Sequence, residues 1–313
     1  MRVVEVTAYG GPEVLRMARR PEPEAGDVPG RVRVRLKAAG VNQADLRIRA
    51  GHYADAVGAL TPPFVLGTDF AGKLLDPVPG LEPGARVAGF VPWYTELTGE
   101  GTYAEIVRVA PEWLAPVPDD VEFTVAASLP LASATAQQGL DRLTLAPGAT
   151  LLVTGASAVV GRLAVQYASA AGLRVVAVVH EGDESELRVL GADHVITRGT
   201  PEEVVAKVLE GDPDRVHAIF DGALVGEALL PVLRDDGVFL ALAPDRVPVP
   251  ERDIRVETVR AQPDVVRLKE SLQKVADREL TTRVADVMPL EEAAEAHRRA
   301  EAGHRPGRII LMI

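Results

Sequence analysis

At 313 residues with no cysteine, the chain is longer than one compact core usually is, and it excludes disulfides, thiolate nucleophiles and cysteine-bearing zinc sites. A net charge of −11 argues against a nucleic-acid surface, and no apolar run approaches the roughly 18 residues that would cross a bilayer. The six histidines, His52, His180, His194, His217, His297 and His304, show no HExxH or comparable ligand spacing, so no metal is expected.

The opening Met1-Arg2-Val3-Val4-Glu5-Val6 alternates like a strand and lacks the layout of a signal peptide, so a cytoplasmic location is expected by elimination. Short alternating segments at 3–7, 31–38, 86–90 and 103–109, punctuated by Gly and Pro turns, predict a β-rich domain built from hairpins. Arg31, Arg33 and Arg35 alternate with Val32, Val34 and Leu36, which reads as the wet face of one strand. Residues 21–30 form a polar, Pro-rich connector.

From about residue 124 the texture changes. A long Ala-rich helix is expected over 125–140, a strand over 150–154, a helix over 157–172 and a strand over 174–179. A short helix at 185–190, a strand at 194–197, a helix at 201–210, a strand at 216–221, a helix at 226–233 and a strand at 237–242 follow. Strands and helices alternating in this way mean βαβ units and a doubly wound parallel sheet with both faces covered. After residue 250 come helical 263–279, a strand near 283–287, helical 290–302 and an apolar final strand over 308–313. That strand needs a sheet to join. The expectation is therefore an α/β chain with a β-rich domain of residues 1–123, completed by 256–313, and a parallel-sheet domain of residues 124–255.

The stretch Leu151-Leu152-Val153-Thr154-Gly155-Ala156-Ser157-Ala158-Val159-Val160-Gly161 is a strand feeding a tight turn at a helix start. Backbone N–H groups and the helix dipole there suit a pyrophosphate, which points to a dinucleotide. The usual fingerprint has three glycines, and here the middle one is Ala158. Glu181 stands about 20 residues beyond the turn, where a carboxylate typically accepts bonds from the adenosine ribose hydroxyls and would repel a 2′-phosphate. Asp183, Glu184 and Glu186 deepen that negative patch, although acidic residues also favour the first turn of a helix.

Further stretches, in a fixed order along the chain, carry a family resemblance. They are Tyr9-Gly10-Gly11-Pro12-Glu13-Val14-Leu15, Ala39-Gly40-Val41-Asn42-Gln43-Ala44-Asp45, Pro63-Phe64-Val65-Leu66-Gly67-Thr68-Asp69-Phe70-Ala71-Gly72 and Pro83-Gly84-Ala85-Arg86-Val87. Gly101-Thr102-Tyr103-Ala104-Glu105, Ala126-Ala127-Ser128-Leu129-Pro130, Thr135-Ala136, Leu190-Gly191-Ala192-Asp193 and Gly307-Arg308-Ile309-Ile310-Leu311 complete the set. Over nearly its whole length the chain resembles the zinc-independent quinone oxidoreductase (ζ-crystallin-like) branch of the medium-chain dehydrogenases/reductases. The resemblance implies a GroES-like catalytic domain, a Rossmann domain and an active site in the cleft between them. It further implies a homodimer that reduces a small-molecule substrate, a quinone or other activated, enone-type double bond, with NADPH.

Two departures from that pattern stand out. Ala158-Val159 replace two adjacent glycines in the turn, and His180 and Asp183 stand where the family often has a small polar residue and a Lys that grip the 2′-phosphate. Resemblance favours NADPH, whereas the local charge favours NADH. The resemblance also carries site residues onto this chain, Asn42 as an amide for a substrate carbonyl and Tyr53 as a bordering hydrogen-bond or proton donor, and Asp45 beside them is a candidate orienting group. Each has a structural alternative: a turn Asn, a half-buried Tyr, a helix cap. Cofactor contacts are expected from Thr135, Gly155, Ala156, Ser157, Val159, Val160, Gly161, His180, Glu181 and Ala243. Two rival readings remain. One is a catalytically weak relative whose altered turn binds dinucleotide poorly. The other is a hydrolase using Ser157, Asp221 and His297, which lacks the closing glycine of a nucleophile elbow.

Overall fold

The computed structural model describes residues 1–52, 60–212, 214–243, 246–303 and 306–313. It divides into two compact units, Met1–Leu131 with Gln262–Ile313, and Ala132–Ala261.

In chain order the first unit begins with β1 (Arg2–Val6), β2 (Leu15–Arg19), β3 (Val32–Gly40), α1 (Gln43–Arg49), β4 (Phe64–Val65), β5 (Asp69–Leu74) and β6 (Arg86–Phe90). Then come β7 (Ile106–Val109), β8 (Ala115–Pro116) and α2 (Phe123–Ala126), and α3 (Pro130–Leu143) leads into the second unit. That unit holds β9 (Thr150–Thr154), α4 (Val159–Ala170), β10 (Arg174–Val179), α5 (Glu184–Val189), β11 (His194–Thr197), α6 (Pro201–Gly211), β12 (Val216–Asp221), β13 (Leu233–Ala241) and β14 (Arg255–Thr258). The chain returns to the first unit with α7 (Val265–Ala276), β15 (Val284–Pro289), α8 (Ala293–Ala302) and β16 (Arg308–Met312).

The first unit carries a sheet ordered β15-β16-β3-β5-β6-β8, with β7 on β3, and a smaller sheet β2-β1-β4. The apolar final strand finds its host here, since β16 pairs antiparallel with β3 through Ile310↔Gly40 and Leu311↔Ala39. Its core gathers Leu36, Leu66, Phe70, Trp93 and Tyr103, all fully buried. The alternating arginines in and just before β3 meet acids, Arg33 on Asp76 at 2.7 Å and Arg31 on Glu96 at 2.9 Å, as a solvated strand face would.

In the second unit the sheet runs β11-β10-β9-β12-β13-β14 with parallel pairing throughout. Every residue of β9 is buried, because helices cover both faces of such a sheet. The order reverses between β9 and β12, which opens a crevice at their carboxyl ends.

Three expectations need correction. The long helix over 125–140 is two helices, because Pro130 has no N–H to continue the first; the following Leu131 N–H instead donates to Asp69 at 2.7 Å. The helix over 226–233 is a 3-10 helix, Gly226–Val232, with Pro231 inside it. Finally, Arg255–Thr258 does not return to the first unit but pairs with β13 as the outer strand β14, so the units meet at 131/132 and 261/262 rather than at 123/124 and 255/256.

Candidate functional site

At the crevice of the second unit, the Thr154 hydroxyl donates to Asp221 Oδ1 at 2.6 Å and accepts the Ala223 N–H at 3.0 Å. Asp221 also accepts the Val225 and Gly226 N–H groups, at 3.1 and 2.8 Å. These bonds hold the loop after β12 against the glycine turn. Gly155 has φ +63°, and a Cβ there would stand 2.8 Å from the Gly222 carbonyl carbon. Only glycine fits. At Gly161 a Cβ would lie 2.4 Å from the Gly155 oxygen, so helix and turn pack backbone to backbone.

Ala158 is the N-cap of α4, with φ −80° and ψ 162°, extended backbone that any residue adopts. Its methyl is exposed, while Val159 turns into the core. No side chain caps α4, so its first-turn N–H groups face the crevice without a competitor from the N-cap. The structure brings Gly155, Ala156, Ser157, Val159, Val160 and Gly161 together at this turn, a backbone arrangement that a dinucleotide pyrophosphate would fit. Buried Ser157 accepts the His180 N–H at 2.9 Å, and the Ala156 N–H donates to Val178 at 3.1 Å, which ties the turn to the end of β10.

Beyond β10 the charge pattern differs from the expected acidic patch. Glu181 is exposed, but Glu184 is turned onto the Gly182 N–H and the Thr197 hydroxyl, at 2.8 and 2.9 Å, and Glu186 pairs with Arg162. Asp183 is buried at the start of α5. Sequence reasoning missed Arg198, which follows β11. Its backbone N–H binds Val179 at 2.8 Å and its Nη1 donates to His180 Nε2 at 3.3 Å. Burial and then the Arg198 charge hold the His180 imidazole below its ordinary pKa, that is, neutral. Thr135 lies half-buried on α3, and Ala243 is buried just past β13.

In the first unit, Asn42 and Asp45 come together at the start of α1 within a buried polar cluster. Asp45 Oδ2 accepts the Asn42 N–H at 2.8 Å and the Tyr103 hydroxyl at 3.4 Å. Asn42 Nδ2 donates to Asp69 at 3.1 Å and, long at 3.4 Å, to the Gly40 carbonyl, while its Oδ1 accepts from Arg308. Arg308 Nη2 lies 3.8 Å from Asp69. Tyr103 also meets His297 Nε2 at 3.0 Å, and Arg49 meets His297 Nδ1 at 3.1 Å and pairs with Glu301. Burial, opposed by the Asn42 N–H, pushes the Asp45 carboxyl up to about 7. Burial likewise raises Asp69, and burial with the Arg49 charge drives His297 down to about 3. Nothing in the sequence joins Asp69, Tyr103, Arg49, His297 and Arg308 into one cluster, because they come together only in the fold.

Tyr53 lies outside the described residues. The hydrolase reading fails on geometry: both ring nitrogens of His297 are taken by Arg49 and Tyr103, and Asp221 is spent on Thr154 and the loop amides. A cavity of about 240 Å³ in the first unit, between Pro21, Val65 and Arg108, is lined by none of the candidate catalytic or cofactor-contacting residues.

Comparison with known proteins agrees with this architecture. Residues 28–119 match the alcohol dehydrogenase GroES-like domain family, and residues 190–311 match the family described as zinc-binding dehydrogenase. A quinone oxidoreductase of Pseudomonas aeruginosa is 29% identical over 99% of this chain and 98% of its own. The crystal structure of an NAD-dependent alcohol dehydrogenase, 31% identical, superposes with a TM-score of 0.86 over 100% of both chains. A mycobacterial protein complexed with NADPH, 27% identical, gives a TM-score of 0.82, again over 100% of both chains. The chain is an NAD(P)-dependent oxidoreductase of α/β fold, and it belongs to the quinone oxidoreductase branch of the medium-chain dehydrogenase/reductase superfamily.

Proposed function

We propose that the chain is a metal-independent, NADPH-preferring reductase that passes a hydride to a quinone or another activated, enone-type double bond. The observation that carries the cofactor half is Arg198 beside His180, at the carboxyl ends of β11 and β10 next to the glycine turn. A charge-assisted bond from Arg198 to a 2′-phosphate is worth about 1.5–3 kcal/mol. Repulsion from the exposed Glu181 through water is about 1 kcal/mol at 4 Å and is further screened by salt. The cation wins, and NADPH should bind about tenfold tighter than NADH. Calorimetric titration with each nucleotide tests this, and tighter NADH binding would refute it.

A reduced dinucleotide held there would supply the hydride. The α4 N–H groups would hold the pyrophosphate, Thr135 and Ala243 would border the nicotinamide end, and Thr154 and Asp221 tie the turn to the loop after β12. At the substrate end Asn42 has one amide hydrogen on Asp69 and the other only loosely on Gly40. That second hydrogen is the one a substrate carbonyl would take, with Asp45 fixing the turn; Tyr53 is a candidate donor from the resemblance alone.

The metal-free reading is supported by the absence of cysteine from the chain. Among the described residues, moreover, no group of three or more His, Asp or Glu side chains is placed to hold an ion. Turnover that survives exhaustive chelation would bear this out, and loss of turnover restored by zinc would overturn it. A cytoplasmic homodimer completes the proposal, β14 offering an open strand edge for a second copy, and sedimentation equilibrium reads the mass.

A further inference from the structure

The reaction above leaves three buried residues of the first unit without a task. Arg49, Tyr103 and His297 are each no more than 2% exposed, and they form one hydrogen-bonded line that ends on Asp45. The direction of that line follows from elementary chemistry. A guanidinium only donates, so His297 Nδ1 is the acceptor of the Arg49 bond. A neutral imidazole then carries its proton on Nε2, which must donate to the Tyr103 oxygen. The Tyr103 hydroxyl proton is thereby turned toward Asp45 Oδ2. Every donor in the chain points the same way, from a cation whose other arm reaches Glu301 at the surface.

We propose that His297 and Arg49 are positioning residues for the proposed substrate end: acting through Tyr103, they orient Asp45 and so lock the Asn42 turn. This rests on the reading of Asn42 and Asp45 given above. The charges facing Asp45 are Asp69 on β5, which repels it, and Arg308 on β16, which attracts it; Thr68 adds a weak bond at 3.5 Å. Arg49 and Glu301 face His297 and its line from α1 and α8. No other donor reaches Asp45 from the α8 side among the described residues, so the line is its single link to that helix.

The test follows the Asp45 carboxyl by infrared difference titration of the full-length protein, the band being assigned by its loss in Asp45→Asn. Tyr103→Phe keeps the ring and removes the donor, and it should raise the Asp45 midpoint by about one pH unit or more, a tenfold change in proton affinity. His297→Leu should do the same. His297→Gln, whose amide presents an acceptor to Arg49 and a donor to Tyr103, should restore most of the wild-type midpoint. An unchanged midpoint in Tyr103→Phe and His297→Leu overturns the proposal.

Should those variants not fold, ¹⁵N NMR of wild-type protein decides. One histidine must carry its proton on Nε2 and stay neutral between pH 5 and 8, and the opposite tautomer sinks the idea. Activity is read separately. If the midpoint moves while the pH profile of kcat/KM does not, the positioning chain stands and the placing of Asp45 in the reaction falls.

Discussion

Asp45 and His297 pull the stability of the first unit in opposite directions as pH changes, and this can be measured. The Asp45 carboxyl sits at about 7 in the fold against 3.8 when unfolded. Between those values the native state holds the extra proton, so this group makes stability fall as pH rises. His297 sits at about 3 against 6.5, so over that window the unfolded state holds the extra proton and stability rises with pH. Each shift amounts to roughly 4–5 kcal/mol in total, or about 1.4 kcal/mol per pH unit within its window. From pH 4 to 6.5 the two slopes nearly cancel in the wild-type chain.

Asp45→Asn should therefore expose a rising slope and His297→Gln a falling one, differing by about 2.7 kcal/mol per pH unit. Asp69, raised by the same burial, contributes in both variants, so the sign of the difference between their slopes is what is read. Tryptophan fluorescence during urea unfolding suits the measurement, because both tryptophans, Trp93 and Trp113, belong to the first unit. Parallel slopes in the two variants would show that these groups do not titrate as their burial requires.

Three further outcomes are expected. Gly161→Ala gains about 1 kcal/mol of helix propensity but drives a Cβ to 2.4 Å from a backbone oxygen, an overpacking cost of about 1–3 kcal/mol. The packing term wins: the second unit should lose about 1 kcal/mol by calorimetry, and NADPH affinity should drop severalfold. Arg198→Ala should weaken NADPH binding about 10- to 100-fold and leave NADH within about twofold, as read by fluorescence titration. Arg308→Met strands the Asp69 carboxylate and frees the Asn42 oxygen, and should cost about 3–5 kcal/mol in the urea midpoint of the first unit.

The βαβ half of the fold was legible because a parallel sheet buries both faces, which writes itself as apolar runs such as 150–154 and 174–179. β14 was not. Its Arg-Val-Glu-Thr is half-exposed at a sheet edge and carries too little apolar signal to read as a strand. The glycine turn showed itself through Gly155 and Gly161, whose backbone geometry admits nothing larger. Arg198 stayed hidden for a different reason. It meets His180 only because β11 lies beside β10, and sheet order is not written at either residue. The same holds for the Asp45 cluster. Arg49 and His297 are 248 positions apart, and nothing local to either names the other. Asn42 and Asp45, three apart, could be read as a pair, and that pair is what the cluster is built around.

The second unit is one unbroken stretch of chain, whereas the first is split around it. A ribosome that has delivered residue 261 has therefore delivered all of the dinucleotide-binding sheet, but neither β15 nor β16. Until residues 308–312 emerge, the β16 side of β3 has no neighbour, and Arg308 cannot reach Asn42 or Asp69. Synthesis order thus delivers the whole of the second unit's sheet before the first unit's sheet can be completed. The first unit's sheet is complete only when β16 lies beside β3, a strand made some 270 residues before.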